Sequence, residues 1–326
     1  MKKIFLAKLA VLVFSTIALV SCSSSQTEEA VSSMTQTSVP YAFQNIMAGV
    51  SPGWPDVEIV IDTEFPILPN KVLVYNVASS LIGDNEASNI ASRLGFNGEP
   101  APLDTGSERH IFSYTNGIKR LEISFDGRLR MYSSSNTSST PILPDEAECI
   151  SIARKWLIAN KLYPAGVTRV ETAVYKTIQT VDTNSVEASE SVPLSFNVKF
   201  FINIGDYEMY SPGASVVIGD NGEVLEATIN LLTLEEAGSV ILKTPDAALN
   251  ILQKYLASQE FVPSEAKECL VNLRGFERLV INHVSLSYTY VGDSFVQPIY
   301  VFEGIAYSQS SPNGEEFIGR VDAINR

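Results

Sequence analysis

Histidine is almost missing from this chain: two residues, His110 and His283, among 326. Each sits in a strand-like stretch with no second ligand or base at recognisable spacing. Zinc chemistry and His-based acid–base catalysis therefore lose their usual side chain, and the expectation is that no cofactor or metal is held. Also missing are His-Glu-x-x-His, a phosphate loop ending in Gly-Lys-Ser or Gly-Lys-Thr, Gly-x-Gly-x-x-Gly and Gly-x-Ser-x-Gly. Their absence removes the readily recognised zincin, nucleotide-binding and serine-hydrolase classes. Positive charge is scarce too, with 23 Lys and Arg against 37 Asp and Glu, a formal net charge of −14. Nucleic acid and anionic lipid surfaces both need basic clusters, so neither is an expected electrostatic partner. No apolar run reaches the roughly 20 residues that a permanent membrane-spanning helix needs. Cysteine is limited to Cys22, Cys149 and Cys269. If Cys22 is modified, the other two could bridge or remain buried free thiols, and the latter is the commoner outcome.

Met1 to Ser21 has a basic start at Lys2 and Lys3, then an uncharged apolar run from Leu9 to Val20. That is the pattern of a secretory signal, residues 1–21. Its end, Leu19-Val20-Ser21-Cys22, resembles the lipobox of bacterial lipoproteins. The resemblance implies that Cys22 becomes the first mature residue, with a diacylglycerol on its sulfur and an acyl group on its amine. Each buried methylene contributes about 0.8 kcal/mol, so two or three acyl chains anchor a folded body where one would not. The loss of Lys2, Lys3 and Lys8 would leave the mature chain more acidic still. Residues 22–50 then read as the lipidated cysteine and a tether, because Ser23 to Val39 has too few large apolar residues to fold. As a random coil it would hold the body some 20–25 Å from the lipid surface.

Beyond the tether, helix-period and strand-period stretches alternate. Leu143 to Leu162 carries apolar residues at three- and four-residue steps, opens at Pro144 or Asp145 with Glu146 and Glu148 in its first turn, and closes at Lys161. Similar helices are expected over Asp84–Phe96 and from Thr244-Pro245-Asp246 to Ser258, with Thr244 as cap. Leu121, Ile123 and Phe125, then Leu129 and Met131, alternate with polar residues around Asp126-Gly127, a strong hairpin signal. A second hairpin turns at Gly219-Asp220-Asn221-Gly222, and further strands are expected at Lys71–Val77, Arg169–Thr180, Leu194–Ile204, Leu279–Tyr290, Gln297–Tyr307 and Phe317–Ala323. Lone helices among runs of antiparallel strands define an α+β class: helix-plus-antiparallel-sheet units in series, two or three packed modules. The polar run Ser133 to Thr140 marks a boundary. It gives an N-terminal α+β domain at 51–140 and a C-terminal one at 141–326, itself two units at about 141–238 and 239–326. Pro40 to Pro69, with Ile59-Val60-Ile61, reads as an irregular arm on the first domain.

Chemistry-bearing residues are few. Asp145, Glu146 and Glu148, then Glu235 and Glu236, then Glu315 and Glu316 supply carboxylates, but acids at a helix start already stabilise its dipole. No catalytic or cofactor-binding residue is assigned, and Cys22 is the one modification site. Tyr288, Tyr290, Phe295, Tyr300, Phe302 and Tyr307 crowd the last strands, as core pairs or as a peptide or glycan groove. Pro-Asp-Glu-Ala at 144–147, Gly-Asp-Asn-Gly-Glu-Val at 219–224, Thr-Pro-Asp-Ala-Ala at 244–248, and Val284 to Tyr288 leading to Gln297 to Gly304 resemble a set of bacterial envelope lipoproteins. Their domains are similar to PepSY-type modules and to YycH and YycI, accessory proteins of a cell-wall sensor kinase. The resemblance runs from about Lys71 to Ala306, is one of fold, and supplies no active site. YycH and YycI have a transmembrane helix where this chain has its lipobox. These observations lead to an expected non-enzymatic protein, anchored to the cell membrane by its N-terminal lipid on the extracytoplasmic face, that binds a protein or peptide partner. The alternatives are a cell-wall hydrolase with paired carboxylates and a solute-capture lipoprotein.

Replacing Cys22 with Ala is expected to abolish acylation and leave the precursor uncleaved. Metabolic labelling with a clickable fatty acid, read beside gel mobility, checks this, and normal labelling and processing of the variant would overturn it.

Overall fold

The structure, a computed structural model, describes residues 57–78, 82–102, 111–133, 141–179, 191–231, 233–257, 269–272, 275–292 and 295–326. In chain order the elements run β1 (Glu58–Ile61), β2 (Lys71–Val77), α1 (Asp84–Arg93), β3 (Ala101–Pro102), β4 (Ile111–Asn116), β5 (Lys119–Ser124), β6 (Arg128–Ser133) and α2 (Glu146–Ala159). There follow β7 (Val167–Gln179), β8 (Ser191–Ile204), β9 (Tyr207–Glu208), β10 (Ala214–Ile218), β11 (Val224–Asn230), β12 (Leu234–Ile241) and α3 (Pro245–Ala257). The chain ends with β13 (Cys269–Val271), β14 (Arg278–Val291), β15 (Phe295–Tyr307) and β16 (Glu315–Asp322). The fold is α+β, as the alternating patterns require. Among the described residues no helix is long and apolar enough to cross a membrane.

Two of the helices, α2 and α3, open on a side-chain cap. The Asp145 carboxylate accepts the Glu148 backbone N–H at 2.8 Å and caps α2, which then buries Cys149, Ala153 and Leu157. The helix stops at Ala159 rather than at Lys161. Lys161 takes the left-handed position with φ 58°, while the N–H groups of Lys161 and Leu162 return to the carbonyls of Ile158 and Leu157. In α3, Thr244 Oγ1 accepts from the Ala247 N–H at 3.2 Å, as its capping position predicts.

Two sheets result. The nine-stranded one runs β3-β4-β5-β6-β11-β10-β8-β7 with β9 beside β8, and α1 and α2 cover one face. Leu121, Ile123, Leu129, Val198, Phe200, Val216 and Ile229 point into that core. The seven-stranded sheet runs β1-β14-β15-β16-β13 with β2 between β15 and β12, and α3 supplies its cover. A Cβ at Gly304 on β15 would collide with the Val280 carbonyl oxygen of β14, so glycine permits the close crossing beside the register shift at Ile281–His283.

Several sequence expectations change here. The 51–140 stretch forms no sheet of its own: β6 pairs with β11, while β2 pairs with β12 and β15. The boundary at 238 falls within β12, a strand that the sequence reading missed because Glu235, Glu236 and Gly238 interrupt its alternation. The Ile59-Val60-Ile61 arm is β1, and it pairs in parallel with β14 rather than lying on the 51–140 stretch. Cys269 begins strand β13. Cys149 and Cys269 are free thiols buried in different cores. Cys22, Trp54 and His110 lie outside the described residues.

Leu157 is fully buried at 0% exposure against the nine-stranded sheet. Leu157→Ala is expected to destabilise the protein by about 2–5 kcal/mol through lost transfer energy plus a cavity. Denaturant unfolding measures it, and an unchanged midpoint would contradict the packing.

Candidate functional site

The carboxylates singled out in the sequence stand on separate elements. Asp145, Glu146 and Glu148 occupy the start of α2, Glu235 and Glu236 lie on β12, and Glu315 and Glu316 begin β16. The described residues hold no cluster of three His, Cys, Asp or Glu able to bind a metal. His283 is exposed on β14, opposite Glu303. The aromatic group is mostly core: Tyr288, Tyr300 and Phe302 are 2%, 0% and 0% exposed. Tyr300 donates its hydroxyl to the Lys243 carbonyl at 2.7 Å.

Tyr288 has a further role, because it sits where the two sheets meet. Its ring contacts Tyr75 edge-on at 5.7 Å and Tyr207 at 6.2 Å, and its hydroxyl donates to the Leu73 carbonyl at 2.7 Å. The turn carrying β9 projects from the nine-stranded sheet, and the Tyr210 N–H donates to the Tyr288 carbonyl at 2.8 Å. Ile204, Met209, Tyr288 and Val296 close this junction as a small apolar cluster. Arg169 on β7 forks onto Glu208 of β9, with Nε at 2.9 Å from Oε2, and lies over the Phe201 ring at 3.9 Å. The start of β7 is thereby tied to the junction.

The opposite face of the nine-stranded sheet, away from α1 and α2, carries polar side chains in register. One row reads Glu122, Arg130, Thr228, Ser215, Lys199 and Glu171 across β5, β6, β11, β10, β8 and β7. The neighbouring row reads Arg120, Tyr132, Glu226, Val217, Asn197 and Ala173. Period-two alternation fixes this face: if Leu121, Ile123, Leu129 and Met131 go to the core, then Arg120, Glu122, Arg130 and Tyr132 must face away.

Strand β7 bounds the face. Among the described residues it pairs only with β8, and Ala173, Val174, Tyr175 and Lys176 are exposed. Tyr175 donates to Glu226 Oε2 at 3.0 Å and the Lys176 ammonium meets Glu226 Oε1 at 2.9 Å. Glu226 lies on β11, three strand spacings away, or about 14 Å in a flat sheet. Side chains that stand perpendicular to a sheet cannot bridge that gap. The end of β7 must therefore curl over the polar face, and the register shifts at Val174–Lys176 and Lys176–Thr177 supply the bend. The covered positions show it: Val217 is 4% and Ser195 1% exposed although both alternate away from the helices.

Burial pushes the Tyr132 phenol up to about 12, and its hydrogen bond to Glu122 adds to the shift. Burial, then Glu226, raises Tyr175, and burial raises Tyr288, with Tyr75 and Tyr207 adding to it. Nothing in the sequence marked the register that assembles these groups, although the alternation of β5 and β6 showed which residues face water.

Comparison with solved structures finds similarity to the Bacillus megaterium YpeB C-terminal domain, at 10% identity and a TM-score of 0.36, covering 76% of this chain and 99% of that one. No family model matches the chain. No curated protein matches it either.

A phenol whose pKa is raised above its ordinary value keeps its proton in the folded state where the unfolded chain releases it. The stability it contributes is complete below about pH 10 and falls as the pH rises towards about 12. Denaturant midpoints across that interval are expected to decline less steeply in Tyr132→Phe than in the wild type. Identical slopes would remove Tyr132 as a source.

Proposed function

We propose that the chain is a lipid-anchored extracytoplasmic protein, built from PepSY-like units, that binds a protein or peptide partner and catalyses no reaction. The observation that carries the binding reading is β7, a long edge strand with one side unpaired among the described residues. Edge strands offer a row of unpaired N–H and C=O groups, and extended peptides add to such edges through main-chain hydrogen bonds. Val174 and Tyr175, 52% and 44% exposed, give the edge apolar surface that water alone does not favour. The register shifts near both ends limit the regular stretch to the segment between Arg169 and Val174, so a short peptide segment fits better than an open-ended sheet. The Leu19-Val20-Ser21-Cys22 sequence supports the anchor and the extracytoplasmic location.

A photo-crosslinking residue placed at Val174 of the anchored protein in its own membrane is expected to trap one defined partner, identified by mass spectrometry. The same residue at Ile67, fully exposed on the loop between β1 and β2, serves as the control and should not trap it. Val174→Lys should keep stability within about 0.5 kcal/mol, as surface changes do, and compete poorly for the identified partner. Equal products from both positions, or none from Val174, would refute edge binding.

A further inference from the structure

Strand β8 runs past the end of its inner neighbour. β10 pairs with it only from Phe196 to Phe200, whereas β7 stays paired with it as far as Gln179 and Ser191. Residues 176–179 of β7 and 191–195 of β8 therefore leave the sheet as a two-stranded arm, and this is the part that curls over the polar face. A two-stranded hairpin by itself is marginal in water, so the arm needs a dock. Among the described residues, the hydrogen bond and the ion pair that hold it to the sheet face converge on one carboxylate. Glu226 receives the Tyr175 hydroxyl at 3.0 Å and the Lys176 ammonium at 2.9 Å.

Two features oppose permanent closure. The Lys176 and Glu226 side chains are 52% and 27% exposed, and an ion pair so open to water holds weakly. Closure also buries Ser195, which lies opposite Lys176, and its Oγ meets no hydrogen-bond partner among the described residues. A hydroxyl that gives up water without gaining a partner disfavours the state that buries it. The register shifts at Val174–Lys176 and Lys176–Thr177 fall at the root of the arm, where the ladder is already interrupted and a bend disturbs the fewest main-chain hydrogen bonds. The other end of β7 is built differently. There Arg169 forks onto Glu208 and packs over the Phe201 ring, so that end is fixed while this one is latched.

We propose that the arm is a strap, hinged at the double register shift and latched by Glu226, whose opening straightens β7 and lengthens its free edge from Val174 towards Gln179. The inference rests on the edge-binding reading and adds regulation to it. With the strap closed, a peptide pairs along Arg169 to Val174. With the strap open, pairing continues along 176–179, so peptide binding and strap opening favour one another.

Hydrogen exchange read by mass spectrometry, on the full chain in nanodiscs of uncharged lipid, reports the strap directly. In Y175F/K176Q the amides of 176–179 and 191–195 are expected to exchange about tenfold faster, while those of 129–132 in the body of the sheet keep the wild-type rate. In S195A, which removes the stranded hydroxyl, the arm is expected to exchange more slowly than in the wild type. Arm exchange that is unchanged in both variants, or that rises in Y175F/K176Q together with 129–132, overturns the strap. A photo-crosslinking residue at exposed Thr177 then tests the regulation: its yield of the partner trapped from Val174 is expected to rise in Y175F/K176Q. A retained Val174 partner with an unchanged Thr177 yield refutes the coupling to binding alone. No Val174 partner in the wild type refutes edge binding itself, and the exchange rates then decide the strap independently.

Discussion

The contact on which the architecture depends is the seating of Tyr288 beneath the β9 turn. A strand-rich chain that builds two sheets must bury the edge where they meet without stranding backbone polar groups. This protein does so with a parallel bridge between Met209 and Tyr288, a main-chain bond from Tyr210, and the Tyr288 hydroxyl satisfying the Leu73 carbonyl. Tyr75, Tyr207 and Met209 complete the apolar shell, so the polar tip and the ring of one side chain serve different sheets. The Arg169 fork on Glu208 extends the same joint to the start of β7.

The two faces of the nine-stranded sheet show how one constraint generates another. Helices α1 and α2 need an apolar surface, and alternation then forces every second residue of five or six strands to the other side. With β7 bent at its bulges, that side is partly sheltered rather than bare, which is why Val217 and Ser195 are buried while Arg130 and Thr228 remain in contact with water. Sheltered carboxylates recruit the nearest cations, Glu122 taking Arg120 and Glu226 taking Lys176.

Much of the secondary structure was legible residue by residue. Asp145 and Thr244 cap helices as their types suggest, Asp126-Gly127 turns a hairpin, and Leu121 to Met131 alternate as a half-wet sheet must. What misled was composition at the edges of elements. The two acids and a glycine of β12 hide a strand whose stability comes from pairing with β2, and the proline-rich stretch before β2 hides β1, which needs β14 beside it. Of the candidate site, the water-facing residues of β5 and β6 could be read from alternation, but nothing local placed Lys199 in line with Arg130, or Tyr175 within reach of Glu226.

By itself the sequence determined the α+β class, the positions of three helices, the hairpins, the acidity and the lipobox-like segment ending at Cys22, because each depends on neighbours within a turn or two along the chain. Tertiary structure alone decided which sheet receives β2, that residues on either side of 140 share one sheet, and that a row of alternating charge and hydroxyl side chains lines up across six strands. Strand pairing is chosen by the burial of surfaces far apart in sequence, with β2 beside β12 and β6 beside β11. Backbone hydrogen bonds are the same for every partner, so a strand's own residues specify its faces and leave its neighbours to the packing of the whole.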